Sequence, residues 1–253
     1  MSAHEFPPLT SDVSIRPCDT REEFEQCVEL QKVVWGYSNL DVVPASIFIV
    51  ASRTGGHVVG AFQDGTLVGF ALGFCSVRKD GLYVHSHMVA VDPKHQDCGI
   101  GRALKLQQRE ECLRNGIRFI EWTFDPLELK NARFNILRLG TVVRRYIPNL
   151  YGVTSSRLHG NLPTDRLVAE WQLDSPRVRA ILGEKPYRPA HHAERINVPV
   201  TIGEMKQTDL ATARLVQEKA QKEFSQLFER GYAVTGFELR EDVASYVLEP
   251  YED

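Results

Sequence analysis

The segment Val89-Ala90-Val91-Asp92-Pro93-Lys94-His95-Gln96-Asp97-Cys98-Gly99-Ile100-Gly101-Arg102-Ala103 carries residue types that can hold a phosphate. A β-rich stretch runs into a turn with two glycines, and a helical composition rich in Leu, Gln, Glu, Lys and Arg follows from Arg102 to Arg114. Successive backbone N–H groups and the positive helix end would converge at that turn. Gly99 and Gly101 would let a pyrophosphate approach without a Cβ in the way, and Gln96 can donate to its oxygens. The spacing is no Walker A loop, which needs Gly-Lys-Ser/Thr, and no full dinucleotide fingerprint, whose third glycine is missing. A tight strand-to-helix turn without a ligand would use the same glycines. Just upstream, Tyr83, His85, His87 and Val89 alternate, so all four are expected on one face of a strand.

These residues need elements to hold them. Ser14 to Pro17 reads as a first strand, followed by a helix from Glu22 to Val34 that Asp19 or Thr20 can cap. His57 to Phe62 and Thr66 to Val77 flank Asp64-Gly65, a hairpin turn, and Leu82 to Val91 makes a third antiparallel strand that Asp92-Pro93 closes. Asn115-Gly116 stops the helix after the glycine turn. Phe119 to Phe124, ending at Asp125-Pro126, is the next strand and completes a βαβ crossover. A shorter helix is expected over Asn131 to Leu139, then strands at Thr141 to Tyr146 and Arg166 to Leu173.

Residues 1–12 read as a flexible leader, 13–176 as the main domain and 177–253 as a C-terminal extension. Gly183 to Pro199, with three prolines and His191-His192, reads as an extended connector. From Thr208 to Arg230, Leu210, Ala213, Val216, Ala220, Phe224, Leu227 and Phe228 share one helical face. Tyr232 to Phe237 and Ser245 to Leu248 can pair as a terminal hairpin. The apolar stripe must be covered by the main domain or by a second copy of the chain, so a homodimer is one assembly this reading allows.

Composition narrows the function. The 253 residues are 43% hydrophobic and 25% charged, which suits a globular chain with a real core. Thirty basic against thirty-three acidic side chains give a formal charge of -3, without the basic excess of a nucleic-acid binder. Apolar runs such as Ala45 to Ala51 fall far short of the roughly 20 residues that cross a bilayer. The start of the chain has no secretion pattern, and five cysteines without a Cys-x-x-Cys pair suit reduced thiols. A cytoplasmic protein with no metal, no nucleic acid and no membrane partner is expected.

Gln96-x-x-Gly99-x-Gly101-Arg102, preceded by Val89-x-Val91-x-Pro93, resembles the acyl-CoA pyrophosphate loop of the GNAT acyltransferase superfamily, with glutamine where arginine is usual. The order of elements from Ser14 to Leu173 resembles that fold. The chain is also similar to a longer branch of it in Trp122-Thr123-Phe124-Asp125-Pro126-Leu127, Asn131-Ala132-Arg133-Phe134-Asn135, Asn149-Leu150-Tyr151-Gly152 and the late segment Phe228 to Phe237. The resemblance implies an α/β fold with a mixed, mostly antiparallel GNAT-type sheet flanked by helices, extended by a C-terminal helix and β-hairpin.

It also implies a reaction, in which acetyl-CoA or another acyl-CoA such as succinyl-CoA donates to the amine of a small molecule, for example an amino acid. Backbone groups of Val89, Ala90 and Val91 would bind pantetheine, and Gln96, Asp97, Cys98, Gly99, Ile100, Gly101 and Arg102 the pyrophosphate. Asn131 is either a further contact or a helix cap. His85 stands where related enzymes place a base, and His87 lies nearer the thioester. Either histidine could instead bond within the sheet, and Glu121 is a competing base that could equally be a salt-bridged glutamate. The helix from Asn131 to Arg138 lacks the tyrosine that often protonates the leaving thiolate, so Tyr146 and Tyr151 become the candidates. Loss of that tyrosine leaves open a second class, a fold that binds or senses CoA without turnover.

Overall fold

Thr20 opens the first helix with a reciprocal cap: its hydroxyl accepts from Glu23 N at 3.3 Å, and Glu23 Oε2 accepts from Thr20 N at 3.3 Å. The computed structural model describes residues 12–39, 41–152, 162–183 and 193–252; His191-His192 and nearly all of the expected leader lie outside them. The described residues form two compact units, divided between Ile120 and Glu121.

The first unit contains β1 (Val13–Pro17), α1 (Arg21–Trp35), α2 (Ala45–Arg53), β2 (His57–Gln63), β3 (Thr66–Arg78), β4 (Gly81–Val91) and α3 (Ile100–Arg114). Strands β1 to β4 neighbour one another in sequence order and pair antiparallel. Asp64 and Gly65 join β2 to β3 with φ of 49° and 80°, the left-handed pair that a two-residue hairpin needs. Alternation sorts the sheet's side chains into two layers. Phe70, Leu72 and Ala90 pack with Phe24, Cys27 and Phe48 of α1 and α2. Val59, Ala61 and Ala71 pack with Ile100 and Leu104 of α3. The apolar run from Ala45, short as it is, forms helix α2 by burying Phe48 and Ala51 in the first of these layers.

Strand β5 (Phe119–Phe124) crosses the division. The second unit continues with α4 (Leu129–Arg133), a π-helical turn at Phe134–Arg138, β6 (Val142–Ile147), β7 (Arg166–Gln172), α5 (Pro176–Leu182), β8 (Glu194–Pro199), α6 (Ile202–Thr208), α7 (Leu210–Glu229), β9 (Tyr232–Leu239) and β10 (Val243–Pro250). Its strands lie in the order β7-β6-β9-β10-β8. The expected hairpin is β9 with β10, antiparallel. The connector expected up to Pro199 is corrected: its last six residues are β8, which pairs with β10 and buries Ile196 and Val198. Pro199 ends the strand, where it interrupts little of the ladder.

Helix α7 buries Ala213, Gln217, Ala220, Phe224 and Leu227, whereas Leu210 is 40% exposed, so the apolar stripe begins one turn later than expected. Phe224 stacks on Tyr146 at 5.8 Å and meets the edge of Tyr246 at 5.1 Å. Tyr246 in turn donates to the carbonyl of Pro126 at 2.7 Å. The α7 stripe is thereby joined to residues on β6, on β10 and in the turn after β5. The architecture is α/β, with a mixed, mostly antiparallel sheet flanked by helices and a C-terminal extension of helices and strands. No helix among the described residues is long and apolar enough to cross a membrane, and no cluster of three or more His, Cys, Asp or Glu among them could hold a metal ion.

Candidate functional site

The glycine turn is built by local geometry. Asp92 Oδ1 accepts from Lys94 N at 2.8 Å, which folds Pro93–His95 into one 3-10 turn. Asp97 and Gly99 then both turn left-handed, with φ of 63° and 80°, so the backbone curls before α3 begins at Ile100. Gln96 Nε2 donates to Val91 O at 3.2 Å and closes the loop at its base. Ile100 is buried beside Leu104, Val89 and Val91, which fixes the helix start against β4.

This N-terminus has no side-chain cap and no acidic residue in its first turn. The first helical bond runs from Ala103 N to Gly99 O at 3.0 Å, so the N–H groups of Ile100, Gly101 and Arg102 have no acceptor within the helix. A Cβ on Gly101 would touch only Val91 Cγ2, at 3.9 Å. Neither backbone nor packing demands glycine there, although glycine in a helix costs about 1 kcal/mol relative to alanine. Close approach of a ligand is a reason for it that packing does not supply. The anion chemistry of the loop therefore fits the pyrophosphate of a CoA thioester. Cys98 Sγ lies 3.4 Å from Gln96 O, within the loop.

Strand β4 departs from simple alternation. Leu72 pairs with Met88 but Gly73 pairs with Ser86, so His87 is the extra residue of a β-bulge. Val84 is buried and Ser86 bonds to α3; beyond the bulge it is Val89 and Val91 that pack in the α3 layer, while Met88 and Ala90 join the α1 and α2 layer. The expectation that Val89 shares a face with His85 and His87 is thus corrected, because the inserted residue reverses the order. The two histidines do come together: their rings are 6.2 Å apart, and His87 lies 5.5 Å from Phe74. His87 reaches solvent yet has protein around much of its ring. That desolvation, and then the charge of His85, lowers its pKa from the ordinary value and favours the neutral imidazole.

The other candidates belong to the second unit. Glu121 Oε2 accepts from Arg145 Nη2 at 2.6 Å, and Arg145 also pairs with buried Glu170 at 3.1 Å, so this carboxylate is held in a charge network. Tyr151 is 47% exposed, with its hydroxyl 3.2 Å from Thr123 Oγ1 on β5 and the Arg166 guanidinium 5.2 Å from its ring. Tyr146 instead donates to Asp165 at 2.5 Å, and burial followed by that carboxylate pushes its pKa far up. Its proton is committed. Asn131 is exposed on the third residue of α4, whose N-cap is Glu128, so it is not the helix cap.

Sequence reasoning missed three groups: Lys105 with Ser86 and Gln108 behind β4, Thr123 beside Tyr151, and Lys206 with Asp125. Only one had a signal. Ile100, Leu104, Gln108 and Cys112 recur every fourth residue and all are buried, which places Gln108 on the inner face of α3.

Known proteins match this arrangement. Residues 20–135 match the family described as Acetyltransferase (GNAT) family. The N-alpha-acetyltransferase RimI of Mycobacterium tuberculosis is 31% identical over 103 residues, which are 40% of this chain and 63% of that protein. The ribosomal-protein-S18-alanine N-acetyltransferase of Escherichia coli superposes with a TM-score of 0.51 at 16% identity, covering 64% of this chain and 95% of that one. The yncA protein of Salmonella typhimurium, solved with its cofactor acetyl-CoA, gives 0.53 at 22% identity, covering 65% and 96%. At such identities the structures speak for the fold alone. Profile, relative and fold agree that residues 20–135 of this chain are similar to the acetyltransferase (GNAT) family.

Proposed function

We propose that this chain is an acyl-CoA-dependent N-acyltransferase that moves an acetyl group to the amine of a small molecule, with a free amino acid as the first acceptor class. The observation that carries this reading is the uncapped start of α3, with its left-handed Asp97 and Gly99 and the open space beside Gly101. When bound, acetyl-CoA would supply an activated thioester carbonyl. The N–H groups of Ile100, Gly101 and Arg102 would hold its pyrophosphate, with Gln96, Asp97 and Cys98 shaping the loop, and the backbone of Val89, Ala90 and Val91 would hold pantetheine.

His87, kept neutral, or His85 beside it, would take the proton of the attacking ammonium. The amine nitrogen forms its bond to the carbonyl carbon as the carbon–sulfur bond breaks, and the thiolate gains a proton from solvent or a phenol. Tyr151 is the phenol we assign, since the Tyr146 proton is engaged. Residues 13–176 would form the transferase domain and 177–253 its extension. The free state of all five cysteines supports a reducing compartment such as the cytoplasm.

Thiol release, followed with acetyl-CoA and succinyl-CoA against free amino acids and a peptide with a free N-terminus, tests the reading. Turnover with acetyl-CoA and an amino acid supports it. Turnover with the peptide alone overturns the acceptor class, and tight CoA binding without turnover on any pair makes the chain a binding module.

A further inference from the structure

Three polar side chains lie buried between α3 and β4: Ser86, Lys105 and Gln108. Lys105 is only 1% exposed. Its Nζ donates to Ser86 Oγ at 2.8 Å and reaches Gln108 Oε1 at 3.4 Å, and Ser86 Oγ donates to Gln108 Oε1 at 3.0 Å. Gln108 Nε2 has no hydrogen-bond partner. Opposite Ser86 stands Gly73, where a Cβ would come within 2.9 Å of Val84 Cγ1 and 3.2 Å of Gln108 Nε2. The Gln108 amide thus occupies the room that this glycine leaves, at the step where the register of β3 and β4 shifts.

Such a layer is expensive. An amine buried away from water loses solvation, an amide donor without a partner loses more, and apolar side chains of similar volume commonly fill such a space at no loss of stability. Burial accordingly drives the Lys105 amine well below the usual lysine range. Ser86, the residue that the lysine and the amide both grip, lies between His85 and His87 in the chain, and the next residue is the bulge itself.

We propose that Lys105 and Gln108, acting through Ser86, are positioning residues that lock the β4 bulge and so hold the His85 and His87 rings in their reactive placement. The catalytic half of this rests on the base role proposed above for the two histidines. The cluster bonds to Ser86, whose two chain neighbours carry the rings. It acts by fixing the backbone on which both rings are mounted, and displacements of about 1 Å at a reacting group can cost 10²-fold in rate.

The full chain carrying Ser86→Ala, Lys105→Met, or both, tests the proposal with three readouts: kcat and KM for thiol release, CoA affinity by calorimetry, and the imidazole proton signals of His85 and His87. The double variant replaces the polar contact by an apolar one. Because it leaves the buried Gln108 amide without its two donors, it should lose some thermal stability yet stay folded, while kcat falls about tenfold or more, CoA affinity holds, and both imidazole signals move. Ser86→Ala, which only deletes a hydroxyl, gives the same comparison if the lysine variants do not fold. Imidazole signals that stay in place, or a kcat equal to the parent's, would overturn the proposal. If the parent itself releases no thiol, the transferase reading fails separately, and the imidazole signals still decide whether the cluster sets the bulge.

Discussion

Lys206 Nζ lies 3.0 Å from Asp125 Oδ2, across 81 residues of chain, and 2.9 Å from Glu128 Oε1. The other oxygen of Asp125 accepts from Leu127 N at 2.7 Å, so one buried carboxylate both shapes the turn after β5 and anchors α6. Burial alone would lower the Lys206 pKa, but the charges of Asp125 and Glu128 outweigh it and raise the value above 10.5. A raised lysine pKa stabilises the fold fully below the unfolded value, and that stability is lost as pH rises through the folded one. Lys206→Met should therefore cost about 3–5 kcal/mol at neutral pH, because it removes the cation that faces a buried carboxylate. Urea unfolding is the measurement, and a loss under about 1 kcal/mol would place the pair among exposed salt bridges instead.

Gly101→Val separates packing from binding. The new side chain meets only Val91 Cγ2 at van der Waals distance, so the melting temperature should move by no more than a β-branched residue in a helix entails. CoA affinity should fall at least about tenfold, since a tenfold change needs only about 1.4 kcal/mol of lost contact. Calorimetry on the folded variant reads this directly, and an unchanged affinity moves the phosphate away from this loop.

The depressed pKa of His87 sets the acid side of the rate profile. A base must be neutral, so kcat/KM should rise with pH through a midpoint below 6.5, the ordinary value from which His87 is lowered. Desolvation is the larger cause and the His85 charge the second. His85→Ala removes that charge and should move the midpoint upward. A midpoint that stays fixed or falls in this variant would take His87 out of the base role.

Two tyrosines should respond in opposite ways. Tyr146→Phe deprives buried Asp165 of a donor and should cost about 1–3 kcal/mol of stability. Tyr151→Phe, half exposed and bonded only weakly to Thr123, should leave the unfolding midpoint in place but slow thiol release. Equal turnover in Tyr151→Phe and the parent would return the leaving thiolate to solvent.

Strong local patterns carried most of the fold. The Asp64-Gly65 turn, the glycine stop after Arg114 and the alternation from Phe119 to Phe124 each act within a few residues, and each lies where the sequence places it. Helix α2 and strand β8 are different cases. Both are short, nine and six residues, and only the neighbours that bury Phe48 or pair with Asn197 decide their conformation. The glycine loop was legible for the same local reason, whereas the bulge at His87 was not, because the residues it faces, Gly73 across the sheet and Gln108 on α3, are remote in sequence. The burial of Lys105 and Lys206 was equally silent, since a charged residue is read as exposed until its distant partners are known.

The long reach of the contacts around the turn after β5 has a consequence for synthesis. Tyr246 bonds to Pro126 from 120 residues further along the chain. At about 5–20 residues per second on the ribosome, that donor emerges some 6–24 s after its acceptor. The described residues of the first unit all precede Glu121 and can close while translation proceeds, but the turn must wait, with Asp125 short of its lysine and Pro126 short of its tyrosine. Nascent chains arrested near residue 200 should therefore resist protease up to Ile120 and be cut beyond it. Until Tyr246 and its neighbours emerge, the apolar surface of the later half of the molecule stays open to other chains.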